Sequence, residues 1–428
     1  MSSDLVLRGI ATGGPLALVL GVAWRWRPSR RVVAGAVLAT IWAGVSLLVV
    51  NVVAIELGWW SFQAAGRIAG VPVDLLFGWA LLWGTLPPLV AARFPTVGVP
   101  AAVCGAAGAL VAVDAVVMGR FEPVVTLHRY WLLGEVVNVV VVLVPAVVLG
   151  VATARDTHLF ARAAIQVNGF ATLLGFVVPS AVFSVGAGDW TTLLHRPLAA
   201  WAVFGVILVC AGTVGVQAVI ECALIGRGTP VPFDPPKHLV SSGPFAYVSN
   251  PMQLGGAAVV FGWGAMIGDL LVLVVLITMF CAVITISNRT ETPDLTQRFG
   301  AEFAAYRALV RPWRVSWRPR HPAGGADRSA VLTVAPGPVA SVTVALLRRV
   351  RVHDLTLVLE PGRDRPGVRY VSPAVTAVGP AALSRALDHT NLLLALAGWM
   401  ARCTPVGIWQ WTPRPALTRS LPCTEEIP

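Results

Sequence analysis

Apolar residues run through this chain in long unbroken stretches, and polar residues collect in the short gaps between them. Nine such runs stand near 8–24, 32–55, 71–92, 98–118, 131–153, 160–186, 197–224, 251–267 and 269–287. A helix needs about 20 apolar residues to cross a bilayer, and backbone inside lipid must satisfy its own hydrogen bonds. The pattern predicts an all-α polytopic membrane protein of about nine transmembrane helices. The last two runs are short and separated only by Gly268, so they read as a tight helical hairpin.

The polar gaps predict turns. Gly226–Pro236 is too rich in proline to be helical. Ser242-Gly243-Pro244 reads as a turn, and Pro251 suits the first turn of the next helix. After the ninth run, Pro293–Val310 repeats Leu295, Phe299, Phe303 and Tyr306 at helical spacing. That spacing predicts an amphipathic helix along the membrane surface, ended by Pro312. Beyond a Gly/Pro linker at 321–327 the period changes. Val331–Val334, Leu355–Glu360 and Val368–Val371 read as strands, and Val339–Val350, Ala381–Asp388 and Leu392–Ala401 as helices. This is a small C-terminal α/β domain, large enough for its own core. Its last helix is too short to span a membrane and suits packing on the membrane domain. The chain thus divides into 1–220, N-terminal membrane helices; 221–320, a motif-bearing core; and 321–428, a cytoplasmic α/β domain.

Composition strengthens the membrane reading. The chain is 56% hydrophobic and only 12% charged, against about 25% charged in soluble domains. The first run is followed by Arg25, Arg27, Arg30 and Arg31, the wrong flank for a cleaved signal peptide. Short cytoplasmic loops hold the excess arginine and lysine. Placing these four inside puts the N-terminus out and the C-terminus in the cytoplasm, as for an integral protein of a bacterial inner (cell) membrane. The net charge of +11 then lines a surface facing anionic lipid. Nucleic-acid binding does not fit, because the arginines are scattered over membrane loops. The six cysteines form no CxxC pair, so neither a metal site nor a redox motif is expected.

A few polar groups interrupt the spans. Ionisable residues in membrane segments are costly and often functional. Asp74 and Glu135 lie near span ends, where reaching to water explains them. Asp114 lies deeper and reads as a packed polar group. Glu221 leads into the motif loop and either packs or faces a cofactor cavity. The chemistry concentrates in Lys237–Gln253, KHLVSSGPFAYVSNPMQ, and in Glu291–Leu295 with Phe299–Phe303. A polar, turn-rich block at a membrane boundary can hold a soluble cofactor against an apolar substrate.

Leu239, Val240, Gly243, Pro244, Phe245, Asn250 and Pro251, then an apolar hairpin, then Glu291, Leu295, Phe299, Gly300, Phe303 and Tyr306, stand in a fixed order and spacing. Over about 221–320 this resembles the isoprenylcysteine carboxyl methyltransferase and phospholipid methyltransferase family. The resemblance implies S-adenosylmethionine as cofactor. It implies that Lys237, His238, Leu239, Val240, Phe245, Asn250, Pro251, Met252, Gln253 and Glu291 contact it, and that the methyl acceptor is lipid-like or amphipathic. No metal is implied. A carboxylate such as Glu291 suits the cofactor's cationic groups. Methyl transfer needs alignment in a water-poor pocket more than acid–base help.

The chain also departs from the family. Ser249 stands where the family has Arg, Gln253 and Phe303 where it has Tyr, and Thr292 where it has a second Glu. A substrate-contacting Arg of the family would fall at Ser287, with Arg289 close by; Arg289 and Glu291 are the candidate catalytic residues. Losing the Arg at 249 removes a fork suited to a carboxylate. The bland alternatives are a loop role for His238, a helix start at Asn250-Pro251, packing for Phe303 and Tyr306, and charge neutralisation for Glu291. Two further readings stay open: an NADPH-dependent membrane reductase of the steroid-reductase-like type, and a non-catalytic scaffold. The C-terminal domain resembles a thioredoxin-like module of the D-C-x-x-C type, but the position of its reactive pair reads Ala335–Val339. That excludes disulfide exchange there and leaves packing, regulation or binding of an unknown protein partner.

Overall fold

The computed structural model describes residues 3–322, 329–336, 338–350, 352–359, 367–403 and 412–413. Among them, eight helices are long and apolar enough to cross a membrane. These are α1 (Leu5–Trp26), α2 (Arg30–Glu56), α3 (Val73–Arg93), α4 (Val99–Arg120), α5 (Trp131–Arg155), α6 (Leu159–Ser184), α7 (Leu198–Leu224) and, after the shorter apolar α8 (Pro251–Ile267), α9 (Leu270–Leu309). The expected polytopic helical architecture is present, and α8 with α9 forms the hairpin across Gly268, whose φ of +76° suits glycine.

Local sequence explains several irregularities. Within α3, α5 and α6 a π-helical turn (Leu81–Thr85, Asn138–Leu143, Leu173–Val177) is followed at once by Pro87, Pro145 or Pro179. Each proline lacks a donor and crowds the preceding turn, and a wider turn relieves both. Helices α2 and α5 meet through Gly35 and Gly150, where an added Cβ would collide with backbone. Such small-residue contacts let helices pack closely without a hydrophobic driving force from lipid.

The amphipathic segment differs from expectation. It does not begin as a new helix at Pro293; α9 runs on through Pro293 to Leu309. The interruption falls at Gly300, with φ 49° and ψ −120°. Proline removes one hydrogen bond, whereas a left-handed φ at glycine redirects the chain.

By its internal contacts the chain forms two compact units. One comprises Met1–Ala211, Arg227–Lys237 and Gly255–Glu291; the other Gly212–Gly226, His238–Leu254 and Thr292–Pro428. The first contains the helical bundle and two small antiparallel pairs in loops. These join β1 (Trp60–Phe62) to β4 (Val125–Leu127) and β2 (Arg67–Ile68) to β3 (Val71–Pro72). The second contains a mixed sheet of β5 (Ala330–Val334), β6 (Leu355–Leu359), β7 (Val368–Val371), β8 (Val375–Val378) and β9 (Thr412–Pro413), in the order β6-β5-β7-β8-β9. Strands β5 and β6 are parallel; the other pairs are antiparallel. Helices α10 (Pro338–Val350), α11 (Pro380–Ala386) and α12 (Leu392–Arg402) complete it. The three expected strands and three helices are all present. Strand β8 is not among the expected strands: it is four residues long and follows β7 after a gap of three residues, so the two read as one run. Glu360 and Gly337 lie outside the described residues.

Candidate functional site

In the second unit the motif loop is built around the end of α7. Glu221, wholly buried, accepts hydrogen bonds from Gln217 Nε2 at 2.7 Å and Ser242 Oγ at 2.8 Å. Its other partner is Arg385 on α11, 2.6 Å away. This settles the two readings of Glu221 in favour of packing. Gly243 has φ +55°, and an added Cβ would lie 2.9 Å from Glu221 Cγ. The motif glycine is thus required twice, by its backbone and by its neighbour.

The network continues. Arg402 on α12 donates through Nη2 to both carboxylate oxygens of Asp388, at 2.7 and 2.9 Å, and through Nη1 to the Ser384 carbonyl. Trp399 Nε1 donates to Asp388 Oδ1, and Tyr247 Oη to the Asp388 carbonyl. Two acids and two arginines are buried together, so the cluster is neutral. Burial pushes the Tyr247 phenol up, with the Asp388 charge acting the same way. Burial likewise raises the Cys403 thiol, which argues against a reactive cysteine. Sequence reasoning passed over Arg385 and Arg402. The available signal was a charge inside an otherwise apolar helix, LLLALAGWMAR.

The two motif blocks meet inside this unit. Phe303, Tyr306 and Val310 form a buried cluster with Leu239, Phe245, Leu295 and Phe299 against it. Tyr306 Oη donates to the Phe245 carbonyl at 2.9 Å. Phe303 and Tyr306 are therefore packing residues. Arg307 Nη1 donates to Ser249 Oγ at 2.7 Å. The second block thus places a guanidinium against the first block at Ser249. Ser249 Oγ donates onward to Asn250 Oδ1, and Asn250 Nδ2 to Gln253 Oε1. Pro251 opens α8, as its fixed φ favours. Val240 is buried, Leu239, Met252 and Gln253 are half-buried, and His238 is exposed with its N–H donated to the Gly226 carbonyl.

The remaining candidates belong to the first unit. Lys237 forms an ion pair with Asp156, which also meets Arg31 and Arg162 at 3.2 Å each. The Lys237 ammonium, then the Arg31 guanidinium, holds the Asp156 carboxyl down at about 2. Arg162 also bonds the buried Asp234 at 2.6 Å, and the Thr229 N–H donates to the Asp234 carbonyl. Burial pushes the Asp234 carboxyl up, and Arg162 opposes it. These contacts fix the shape of the proline-rich loop. Arg289 and Glu291 are exposed on α9. Among the described residues no cluster of His, Cys, Asp and Glu forms a metal site.

The fold and these blocks define an integral membrane protein with a polar motif loop packed on an aromatic helix. Residues 200–302 match the family described as phospholipid methyltransferase, in agreement with the resemblance read from the motif blocks and in support of a methyltransferase activity. No curated protein and no solved structure matches the chain.

Proposed function

We propose that this chain is a membrane-embedded S-adenosylmethionine-dependent methyltransferase acting on a lipid-like or amphipathic acceptor. One observation carries the proposal: the second motif block packs on the first, with Tyr306 bonded to Phe245 and Arg307 bonded to Ser249. The family match over 200–302 supports the same reading.

The residues present fit such a cofactor. Arg307 brings a guanidinium, suited to a carboxylate, and Asn250 and Gln253 bring amides. The short 3-10 turn Gly243–Ala246 offers backbone groups. In this reading His238, Leu239, Val240, Phe245, Asn250, Pro251, Met252 and Gln253 bind the cofactor together with Lys237 and Glu291, and Glu291 balances its positive charge. Arg289 meets a polar group of the acceptor. When bound, the cofactor supplies an electrophilic methyl group on sulfur. The protein's part is to orient the acceptor's lone pair toward it and to exclude water. The C-terminal domain, thioredoxin-like without a thiol pair in this reading, holds the motif loop through Arg385 and Arg402. The segments 1–220, 221–320 and 321–428 serve as anchor, catalytic core and support, with the core on the cytoplasmic side.

Calorimetric titration of the purified full chain with S-adenosylhomocysteine tests this. Saturable heat is expected, reduced at least about tenfold in affinity by Arg307→Ala, the worth of a charge-assisted bond. Absence of heat, or tighter binding of NADPH than of S-adenosylmethionine, would overturn it.

A further inference from the structure

The first unit contains a polar cavity that the methyltransferase reading does not use. Asp114 of α4 and Glu135 and Asn138 of α5 line it, with Trp60, Trp79 and Trp83. These three, and Asn51 which also lines it, are buried; Asn138 is 5% exposed. Glu135 is thus buried instead of exposed at a span end, and Asp114 is buried as expected of a packed polar group while bordering the cavity. Asn138 Oδ1 and Glu135 Oε2 find no hydrogen-bond donor. A buried acceptor without a donor is costly. Asn138 also opens the π-helical turn Asn138–Leu143, a feature frequent at functional sites.

The vacancies are all acceptors, and no lysine or arginine lines the cavity among the described residues. What completes it must donate hydrogen bonds, and two carboxyl groups with no basic partner in the lining suit a cation. The walls select further. Trp60 donates its indole N–H to Asn51 Oδ1, so it offers the cavity no polar donor. Indole rings attract organic cations, ammonium groups included. Calcium takes about six to eight oxygens and magnesium keeps several waters, more than this cavity has room for. The cavity volume is about 30 Å³. At about 10–15 Å³ per water, that suits a pair of waters or a cation of similar size.

We propose that Asp114, Glu135 and Asn138, walled by Trp60, Trp79 and Trp83, form an intramembrane binding site for a small primary ammonium cation. This site is independent of the cofactor reading and stands or falls separately.

The test uses the full chain in detergent, titrated with methylammonium chloride against sodium chloride at matched ionic strength. Calorimetry and tryptophan fluorescence are read together. A saturable response to methylammonium alone is expected, weakened about tenfold or more by Glu135→Gln, as for loss of a charged acceptor. Trp79→Leu should weaken it about tenfold by removing one indole face, and decides the matter if Glu135→Gln does not fold. No saturable response, an equal response to sodium, or unchanged binding in a folded variant overturns the proposal.

Discussion

Replacing Glu221 by Gln tests how the motif loop is held. The side chain keeps its shape and one of the two oxygens that accept from Gln217 and Ser242, but loses its charge. Arg385, itself 2% exposed, then keeps its contact with Asp388 at 3.5 Å, and Asp388 is already shared with Arg402. Removing one partner of a buried pair costs about 3–5 kcal/mol; the residual contact with Asp388 places this case at the low end, about 3 kcal/mol. At about 2–4 °C per kcal/mol for a unit of this size, the melting temperature should fall on the order of 10 °C. A double-mutant cycle with Arg385→Met isolates the pair. Because Arg385→Met/Glu221→Gln restores neutrality, it should cost clearly less than the sum of the two. Thermal unfolding of full-length protein in detergent, followed by circular dichroism, reads all four corners. Additive effects, or a single variant within about 2 °C of the parent, would refute the neutral-cluster account.

Gly243→Ala should destabilise by about 1 kcal/mol from the positive φ alone, and more from contact with Glu221; a melt unchanged from the parent would contradict the turn geometry. Arg307→Lys should restore little of the binding lost in Arg307→Ala, since an ammonium lacks the planar fork; titration with S-adenosylhomocysteine checks this. Lys237 depresses the Asp156 carboxyl to about 2, so their pairing is complete above the unfolded value of about 3.9 and is lost as pH falls through 2. The melting difference between parent and Lys237→Met should be flat from pH 8 to 5 and shrink only below about 4. A change between pH 8 and 6 would implicate another group.

Much of the membrane architecture was legible because run length and bilayer thickness fix it nearly alone. The kink at Gly300 was not, since a proline at 293 is the louder local signal and the glycine's φ depends on where α9 must go. The pairing of β1 with β4 joins residues far apart in sequence, and nothing local announces it. In the candidate site the two blocks were legible from spacing, and Leu239, Phe245, Phe303 and Tyr306 do come together. The contact of Arg307 with Ser249 was hidden. Arg307 reaches Ser249 only because α9 continues past its kink, so its role depends on tertiary geometry. Arg385, Asp388 and Arg402 were hidden for the same reason: their charges cancel only once α11 and α12 pack with the end of α7.

The most direct measurement is transfer of a radiolabelled methyl group from S-adenosylmethionine to a membrane lipid extract by the full-length protein. The account predicts label in the lipid fraction, abolished by Glu291→Ala and strongly reduced by Arg307→Ala in variants that melt like the parent. Label that is absent from every lipid fraction, or unaffected by both substitutions, would contradict it.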